Sequence, residues 1–229
     1  KSVDKQIHIF NKNDFSYLTS IGNFGEGPEE ITVMGCLAID EAHHQLYVSD
    51  HAKQKIFSYD MDSVMVDSLY KPQVKTAMNE TLFPSEYQYI NDTLSIAVLI
   101  KPTSTSTFNQ FLGRWNMNTG EMIPMKYTHP DIQKKRITFA ASEKAGIYVE
   151  CYTRHDLMTI CSLDGELLYN IYGPDWDGGN GNKLQSFGTV MIGNDKIFVS
   201  YCGEDYARDS FPTKILVFDL EGNYLKTLE

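Results

Sequence analysis

The chain has 229 residues, 42% of them hydrophobic, and its formal net charge at pH 7 is −10. This length and composition are enough to bury the core of one domain or of two small ones. The acidic balance argues against binding of nucleic acid or docking on an anionic membrane, and no apolar run approaches the roughly 20 residues of a membrane-spanning helix.

A strand–turn–strand pattern recurs five times along the chain. Each copy has an apolar strand, a short turn rich in Asn, Asp or Gly, and a second strand. Glycine after an acidic residue, at 164–165 and 221–222, favours a hairpin because glycine adopts a positive φ at low cost. The five copies are QIHIFNKNDFSYLTSIG (6–22), KIFSYDMDSVMVDSLY (55–70), FLGRWNMNTGEMIPMKY (111–127), LMTICSLDGELLYNIYG (157–173) and KILVFDLEGNYLKTLE (214–229).

A second type of hairpin precedes four of these copies. Its strands are rich in β-branched and aromatic residues and are too short for helices, and no stretch shows helical periodicity. Four antiparallel strands therefore repeat every 46 to 57 residues or so, which is typical of a β-propeller; a β-sandwich is the alternative. The four hairpins are CLAIDEAHHQLYVSD (36–50), EYQYINDTLSIAVLI (86–100), ITFAASEKAGIYVECY (137–152) and GTVMIGNDKIFVSYC (188–202).

The segments IGNFGEGPEEI (21–31) and GCLAIDEAHHQLYVSDHAKQKIFSYDMD (35–62) resemble an NHL-type propeller blade. The resemblance is closest to the TolB-like six-bladed propellers of exported Bacteroides-type proteins, many of them lipoproteins. It implies an all-β propeller of four-stranded antiparallel blades, in a single domain over 1–229. Four full blades and one half are visible, and six are expected in the complete protein. The blades fall at about 1–27, 30–71, 82–127, 136–173 and 184–229.

The same resemblance implies a cell compartment but no activity. We expect an exported protein that is periplasmic or anchored at the outer membrane, with a possible lipid anchor before the first residue of this numbering. The four cysteines, Cys36, Cys151, Cys161 and Cys202, form no C-x-x-C pair. Three of them sit in apolar runs, which favours buried free thiols over a disulfide.

The long connections are predicted to share one face of the propeller. In an antiparallel blade numbered outward from the axis, the connection from strand two to three and the connection to the next blade emerge on the same side. The long segments at 22–30, 101–110, 172–182 and 203–212 are all of these two kinds. Long loops on a rigid scaffold are where ligands commonly bind.

Several residues of these connections are candidates for ligand binding. Asp50 and His51 end a second strand, where they could act as base or ligand, although an Asp there often ties down the turn. At the equivalent position, Arg154 could bind an anionic or sugar ligand with Tyr152 and Tyr201 as platforms. The predicted ligand-binding residues are Asp50, His51, Tyr152, Arg154, His155, Asp175, Trp176, Tyr201, Glu204, Asp205 and Arg208.

The glycine-rich stretch YGPDWDGGNGNKLQSF (172–187) matches no known ion or phosphate loop. Counted from Asp175, an EF-hand would need an acid or amide at Gly179 and a Glu at Ser186. The repeat G-G-x-G-x-D has Lys183 in place of Asp, and the P-loop pattern is absent. We therefore predict no cofactor and no metal; calcium is an option without a supporting motif.

No catalytic motif such as G-x-S-x-G or H-E-x-x-H occurs, and no catalytic residue is predicted. The leading hypothesis is a non-enzymatic binding propeller of the bacterial cell envelope that holds a protein, peptide or glycan on its loop-rich face. The first alternative is a metal-dependent hydrolase or lyase with its site in the central channel, for which Glu86 and Asn91 are the nearest ligands. The second is a structural module of a surface assembly.

Overall fold

The computed structural model describes residues 5–67, 69–180, 184–205 and 212–229, with the backbone alone described at 184, 185, 204 and 205. These residues form five antiparallel sheets and one short helix. The chain divides into two compact units, described separately below. The first comprises Lys1–Pro102 and Gly113–Ile123, and the second comprises Thr103–Leu112 and Pro124–Glu229.

The first unit begins with a two-stranded sheet, formed by β1 (Lys5–Phe10) and β2 (Tyr17–Asn23). This hairpin was predicted from the first repeat. Ile7 and Ile21 face each other across the pair and are buried against Val48 and Phe57 of the next sheet. The hairpin is therefore held by its apolar face, because two strands alone are marginally stable in water.

The second sheet has four strands in sequence order. They are β3 (Met34–Asp40), β4 (Gln45–Asp50), β5 (Lys55–Asp60) and β6 (Gln73–Ala77). All but the first residue of β4 are buried, as expected of an inner strand covered on both faces.

The repeat at 55–70 was predicted to continue as a turn and a strand, and this prediction was wrong. Helix α1 (Met61–Val66) follows β5 directly, and the fourth strand forms only at β6. The Asp60 side chain accepts a hydrogen bond from the Ser63 backbone N–H at 2.7 Å, which caps the helix N-terminus. The Val64 side chain is buried in the apolar core of the unit, so tertiary packing stabilises this short helix.

The third sheet contains β7 (Phe83–Asn91), β8 (Leu94–Pro102), β9 (Phe108–Trp115) and β10 (Met122–Pro124). Strand β8 has nine residues, and all its side chains from Ser95 to Ile100 are buried. The connection predicted at 101–110 is consequently shorter than expected, because both flanking strands extend into it and leave only residues 103–107.

The fourth sheet lies entirely in the second unit. Its strands are β11 (Ile137–Ser142), β12 (Ile147–Tyr152), β13 (Leu157–Ser162) and β14 (Leu167–Tyr172), paired antiparallel in that order. Every residue of β12 is buried, whereas four of the six residues of β14 are exposed. The sheet thus runs from a buried inner strand to a solvated outer strand. The turn between β13 and β14 uses Gly165 at a φ of 86°.

The fifth sheet completes the second unit. It contains β15 (Leu184–Gly193), β16 (Lys196–Asp205), β17 (Lys214–Asp219) and β18 (Tyr224–Leu228). Residues 194 and 195, an Asn and an Asp, both have positive φ, as a two-residue hairpin turn requires. The connection predicted at 203–212 lies largely outside the described residues.

The core of the second unit lies between the fourth and fifth sheets. Val149, Cys151 and Ile160 of one sheet pack with Val199 and Ile197 of the other, and all five side chains are fully buried. Each sheet therefore covers a face that its neighbour would otherwise expose. This is the packing expected of adjacent propeller blades.

The four cysteines are free thiols, as predicted. Cys151 and Cys161 are buried within strands, and Cys36 and Cys202 are half-buried. Burial raises the pKa of the Cys151 thiol, raises that of Cys161 to about 11, and raises that of Cys36 as well.

Across the described part of the chain, no helix has both the length and the apolar character needed to span a membrane.

Candidate ligand-binding site

The most elaborate polar cluster of the second unit surrounds Trp176, in the connection between β14 and β15. The centroid of the Trp176 ring lies 5.0 Å from that of Tyr172, 5.3 Å from that of His129 and 6.2 Å from that of His155. Trp176, His129 and His155 come from three separate connections of the unit, and Tyr172 is the last residue of β14. Trp176 therefore packs down into an aromatic cluster and stays half-buried, with part of its surface open to solvent.

Backbone hydrogen bonds fix the start of this connection. The Gly173 N–H donates to the Asp156 carbonyl at 2.8 Å, and the Asp175 N–H donates to the Asp156 carboxylate at 2.9 Å. A Cβ atom at Gly173 would overlap that carboxylate, so only glycine allows the close approach. The result is a tight turn that directs Trp176 back over the sheet.

The polar centre of the cluster is formed by His155, Asp177 and Tyr152. His155 is 5% exposed, and its Nδ1 lies 3.9 Å from Asp177 Oδ1, too far for a direct hydrogen bond. His155 Nδ1, Asp177 Oδ1 and the Tyr152 hydroxyl are all buried and have no hydrogen-bond partner among the described residues. Buried polar atoms normally have partners, so the facing atoms His155 Nδ1 and Asp177 Oδ1 indicate a site for a polar ligand or water, and the Tyr152 ring lies beside it with its centroid 6.1 Å from that of His155.

Burial also controls the charge of both histidines. It lowers the pKa of His155, with the nearby Asp177 carboxylate acting in the opposite direction. It lowers the pKa of His129 as well. The Asp131 N–H donates to His129 Nδ1 at 3.3 Å, which leaves the proton on Nε2, where it donates to the Tyr172 hydroxyl at 3.1 Å. Both imidazoles are thus neutral at pH 7, and His129 is committed to positioning Tyr172.

A buried ion pair supports the cluster from below. Lys135 Nζ lies 2.8 Å from Glu150 Oε1, and the two side chains are 7% and 1% exposed. The same ammonium group lies 5.6 Å from the Tyr152 ring centroid. Breaking a buried pair of this kind usually costs about 3–5 kcal/mol, because the remaining charge has no compensation. This ion pair therefore stabilises the packing around the Tyr152 ring.

Asp156 and Tyr201 form a second polar contact at the edge of the cluster. Burial raises the pKa of the Asp156 carboxyl, against the hydrogen bond from the Asp175 backbone, and Tyr201 hydrogen-bonds to it as well. Burial and the nearby Asp156 raise the pKa of Tyr201 to about 12. Tyr201 also packs on Phe187, with ring centroids 5.4 Å apart.

The structure brings together five of the residues predicted from the sequence: Tyr152, His155, Asp175, Trp176 and Tyr201. Arg154 is exposed in the same β12–β13 connection. The predicted Glu204 and Asp205 side chains and the whole of Arg208 lie outside the described residues. Sequence reasoning missed His129, Tyr172 and Asp177, although Asp177 is adjacent to Trp176. That these residues bind a ligand remains a prediction.

Asp50 and His51 belong to the first unit, and Asp50 has a structural role there. The Asp50 carboxylate accepts hydrogen bonds from four backbone N–H groups, those of residues 32, 33, 52 and 53. Burial acts to raise its pKa, but these bonds outweigh burial and lower it. Asp50 is therefore an ionised side chain that links two loops by hydrogen bonds, and we call it the structural tie. The His51 Nδ1 is buried and has no hydrogen-bond partner in the described part of the chain, and the ring centroid lies 6.3 Å from that of Phe83.

Among the described residues, Asp40, His43 and Asp92 form a group that has the composition of a metal site. One ligand atom from each lies within 4.8 Å of the others. The Asp40 carboxylate is already engaged by the His43 ring at 2.8 Å and by the Tyr47 hydroxyl at 3.2 Å. Asp40 and His43 therefore form a hydrogen-bonded turn, and Asp92, from the turn after β7, accepts a hydrogen bond from the Tyr89 hydroxyl at 2.8 Å. Asn91, suggested as a channel ligand, accepts hydrogen bonds from Thr93 in its own turn.

Comparisons with known proteins agree with this architecture. Residues 1–98 match the DUF5128 family model, described as a 6-bladed β-propeller. A DUF4221-family structure from Bacteroides vulgatus is similar, with 10% identity, a TM-score of 0.63, and coverage of 96% of this chain and 73% of that one. The sequence matches no curated protein.

Two further structures align less well. A protein of unknown function from Bacteroides caccae has 13% identity and a TM-score of 0.41, over 98% of this chain and 89% of that one. Apo AztD from Citrobacter koseri has 12% identity and a TM-score of 0.46, over 96% and 55%. The four-stranded antiparallel sheets, together with the family match, identify the fold as a β-propeller.

Proposed function

We propose that this chain is a non-enzymatic ligand-binding propeller, and that its binding site is the cluster around Trp176. The supporting observation is the pair of buried polar atoms His155 Nδ1 and Asp177 Oδ1, 3.9 Å apart and without hydrogen-bond partners among the described residues, bordered by the Trp176 and Tyr152 rings. Ligand sites commonly combine an apolar, aromatic wall with a few convergent polar groups. The half-buried indole supplies the wall, and His155 Nδ1 and Asp177 Oδ1 supply the convergent groups.

The ligand is a glycan or a peptide segment of a larger partner. An indole face next to hydrogen-bonding groups suits a ligand that has one apolar face and several polar edges. The neutral state of both histidines favours hydrogen bonding over attraction of an anion at this position. The arrangement thus supports recognition by shape and hydrogen bonds.

The test is a titration of the protein with neutral oligosaccharides and with short peptides. Binding is measured by tryptophan fluorescence and by calorimetry. The chain has two tryptophans, and Trp115 is 1% exposed in the first unit, so Trp176 is the responsive reporter. We expect a fluorescence change with a true ligand and its loss in Trp176→Phe. Trp176→Ala should weaken binding by about tenfold or more, as central aromatic anchors do.

Tyr169→Ala is the matched control, because this residue lies on β14 but outside the cluster and is 43% exposed. It should bind as the unaltered chain does. Equal affinity of Trp176→Ala and the unaltered chain for a confirmed ligand would exclude this site.

We further propose that the protein acts in the cell envelope, either in the periplasm or attached to the outer membrane by a lipid anchor. The support is the resemblance to exported propellers, and the acidic composition is compatible with it. Fractionation of cells that express the complete gene tests this. Recovery with periplasmic or membrane material is expected, and recovery from the cytosol alone would overturn the location without affecting the binding site.

A further inference from the structure

The second unit contains another concave surface, which we call the basic groove. It is lined by two segments, residues 103–111 and 128–136, and has a volume of about 470 Å³. The groove and the Trp176 cluster share one side chain, Lys135, whose buried pair with Glu150 lies beside Tyr152. The connection between β10 and β11 contributes to both places, with His129 in the cluster and Thr128 in the groove.

The charge of the groove is opposite to that of the chain. The whole chain has 30 acidic and 20 basic residues, yet the lining includes Lys134, Lys135 and Arg136 and, among the described residues, no carboxylate. Lys135 is neutralised by its buried pair with Glu150. The net positive charge therefore comes from Lys134, which is exposed, and Arg136, which is half-buried.

Arg136 is held in place before any ligand arrives. Its guanidinium carbon lies 4.5 Å from the Phe108 ring centroid, and its Nη1 donates to the Lys135 carbonyl at 2.7 Å. The Arg136 carbonyl accepts from the Thr153 N–H at 2.8 Å, which fixes the backbone. A guanidinium has five N–H donors, so most of them remain for a planar anion such as a carboxylate.

The rest of the lining is neutral and rich in hydrogen-bonding groups. It includes the hydroxyls of Thr103, Thr107 and Thr128 and the amides of Asn109 and Gln133. Gln110 also lines the groove, and its Oε1 atom is buried with no hydrogen-bond partner among the residues that the structure describes. Phe108, 39% exposed, offers an apolar surface beside Arg136. Hydroxyl and amide groups suit a polyhydroxylated ligand, and an exposed ring suits the apolar face of a sugar.

We propose that the basic groove binds an acidic oligosaccharide, with a uronic acid carboxylate on Arg136 and Lys134 and a sugar ring against Phe108. This site goes beyond the proposed function of the Trp176 cluster and does not depend on it. A peptide with acidic side chains would satisfy the charges and could hydrogen-bond through its backbone, but a uronic acid combines the carboxylate with a ring face for Phe108 and several hydroxyl groups, so the glycan is the better fit.

The test is calorimetry with trigalacturonate, its methyl ester and hexaglutamate. The methyl ester keeps the hydroxyl groups and removes the charge. We expect trigalacturonate to bind, and the methyl ester to bind at least about tenfold more weakly, because charge-assisted hydrogen bonds are the strong ones. Equal binding of ester and acid, tighter binding of hexaglutamate, or no binding of trigalacturonate would each overturn the proposal.

Variants locate the site. Lys134→Gln and Arg136→Gln should each weaken trigalacturonate binding by about tenfold, and Lys134→Gln alters only an exposed side chain, so folding is preserved. Lys144→Gln removes the same charge at a side chain that is 84% exposed outside the groove, and it should bind normally. Trp176→Ala should also bind trigalacturonate normally; a loss there would assign this ligand to the other site.

Discussion

Asp50 and Asp156 occupy corresponding places in two sheets, yet their environments differ. Asp50 is the last residue of the second strand of its sheet, Asp156 directly precedes the third strand of its own, and each is almost completely buried, at 0% and 1% exposure. Asp50 accepts four backbone hydrogen bonds, and Lys53 Nζ lies 3.8 Å from its carboxylate. Asp156 accepts one backbone hydrogen bond, from Asp175.

The comparison shows that burial alone does not determine the role of a carboxylate. With enough donors, burial is overcome and the pKa of Asp50 is lowered. With few donors, burial dominates and the pKa of Asp156 is raised. The first residue is a structural tie, and the second is an under-satisfied group beside the candidate ligand site. Perturbed carboxylates of the second kind are typical of functional regions.

The largest effect is expected from replacing the structural tie. Asp50→Asn removes the charge and places an N–H₂ group against backbone donors, so we expect a loss of about 3 kcal/mol in the free energy of unfolding. Urea denaturation at pH 7 measures it. Asp62→Asn is the control, because this side chain is 79% exposed and should leave stability unchanged. A loss no larger than that of the control would show that Asp50 is not a tie.

A smaller effect is expected at Gly173, which contacts the other carboxylate. Gly173→Ala places a methyl group on the Asp156 carboxylate, and we expect a loss of about 2 kcal/mol. The same substitution in an Asp156→Ala background should cost less than about 1 kcal/mol, because the overlapping atoms are gone. A double-mutant cycle from denaturation curves gives the coupling. An absence of coupling would contradict the close approach.

The smallest effect is expected from Asp156→Asn, and it should depend on pH. A raised pKa in the folded state means that ionisation of Asp156 costs stability as the pH rises above the unfolded value of about 4. The stability of the Asn variant relative to the unaltered chain should therefore improve between pH 4 and pH 7, with a change under about 1 kcal/mol at pH 7.

Asp50→Asn should show the opposite dependence. The pKa of Asp50 is lowered, so its contribution is complete above about 4 and is lost as the pH falls further. The penalty of this variant should then shrink in acid. Thermal unfolding of both variants from pH 3 to pH 8 compares the two dependences directly, and parallel curves would mean that the two carboxylates are equivalent.

Much of the fold was predictable because strand and turn signals are local. Alternating β-branched and aromatic residues predicted the strands, and the Asp–Gly and Glu–Gly pairs predicted turns that the structure contains, with Gly165 and Gly222 at positive φ. The helix after β5 was not predicted, because its capping bond and its buried Val64 depend on tertiary contacts. A six-residue helix also gives too little periodicity to recognise.

The candidate site was predictable only in part. His155 was found because it lies in a polar connection that directly follows Tyr152, the last residue of β12. Trp176 was found because it lies in the glycine-rich stretch 172–187. His129 and Lys135 were missed, because the segment 125–136 has no motif and acquires its role only by packing against distant loops. A hydrogen-bond partner 43 residues away, such as Tyr172 for His129, leaves no local trace in one sequence.

The buried thiols have a practical consequence for labelling. A maleimide reacts with the thiolate, and three of the four cysteines are kept protonated by burial at neutral pH. A cysteine introduced on an exposed outer strand, for example at Leu225 of β18, should therefore react much faster than those three. Fluorescent probes can then be attached to such a variant without first replacing Cys36, Cys151 or Cys161.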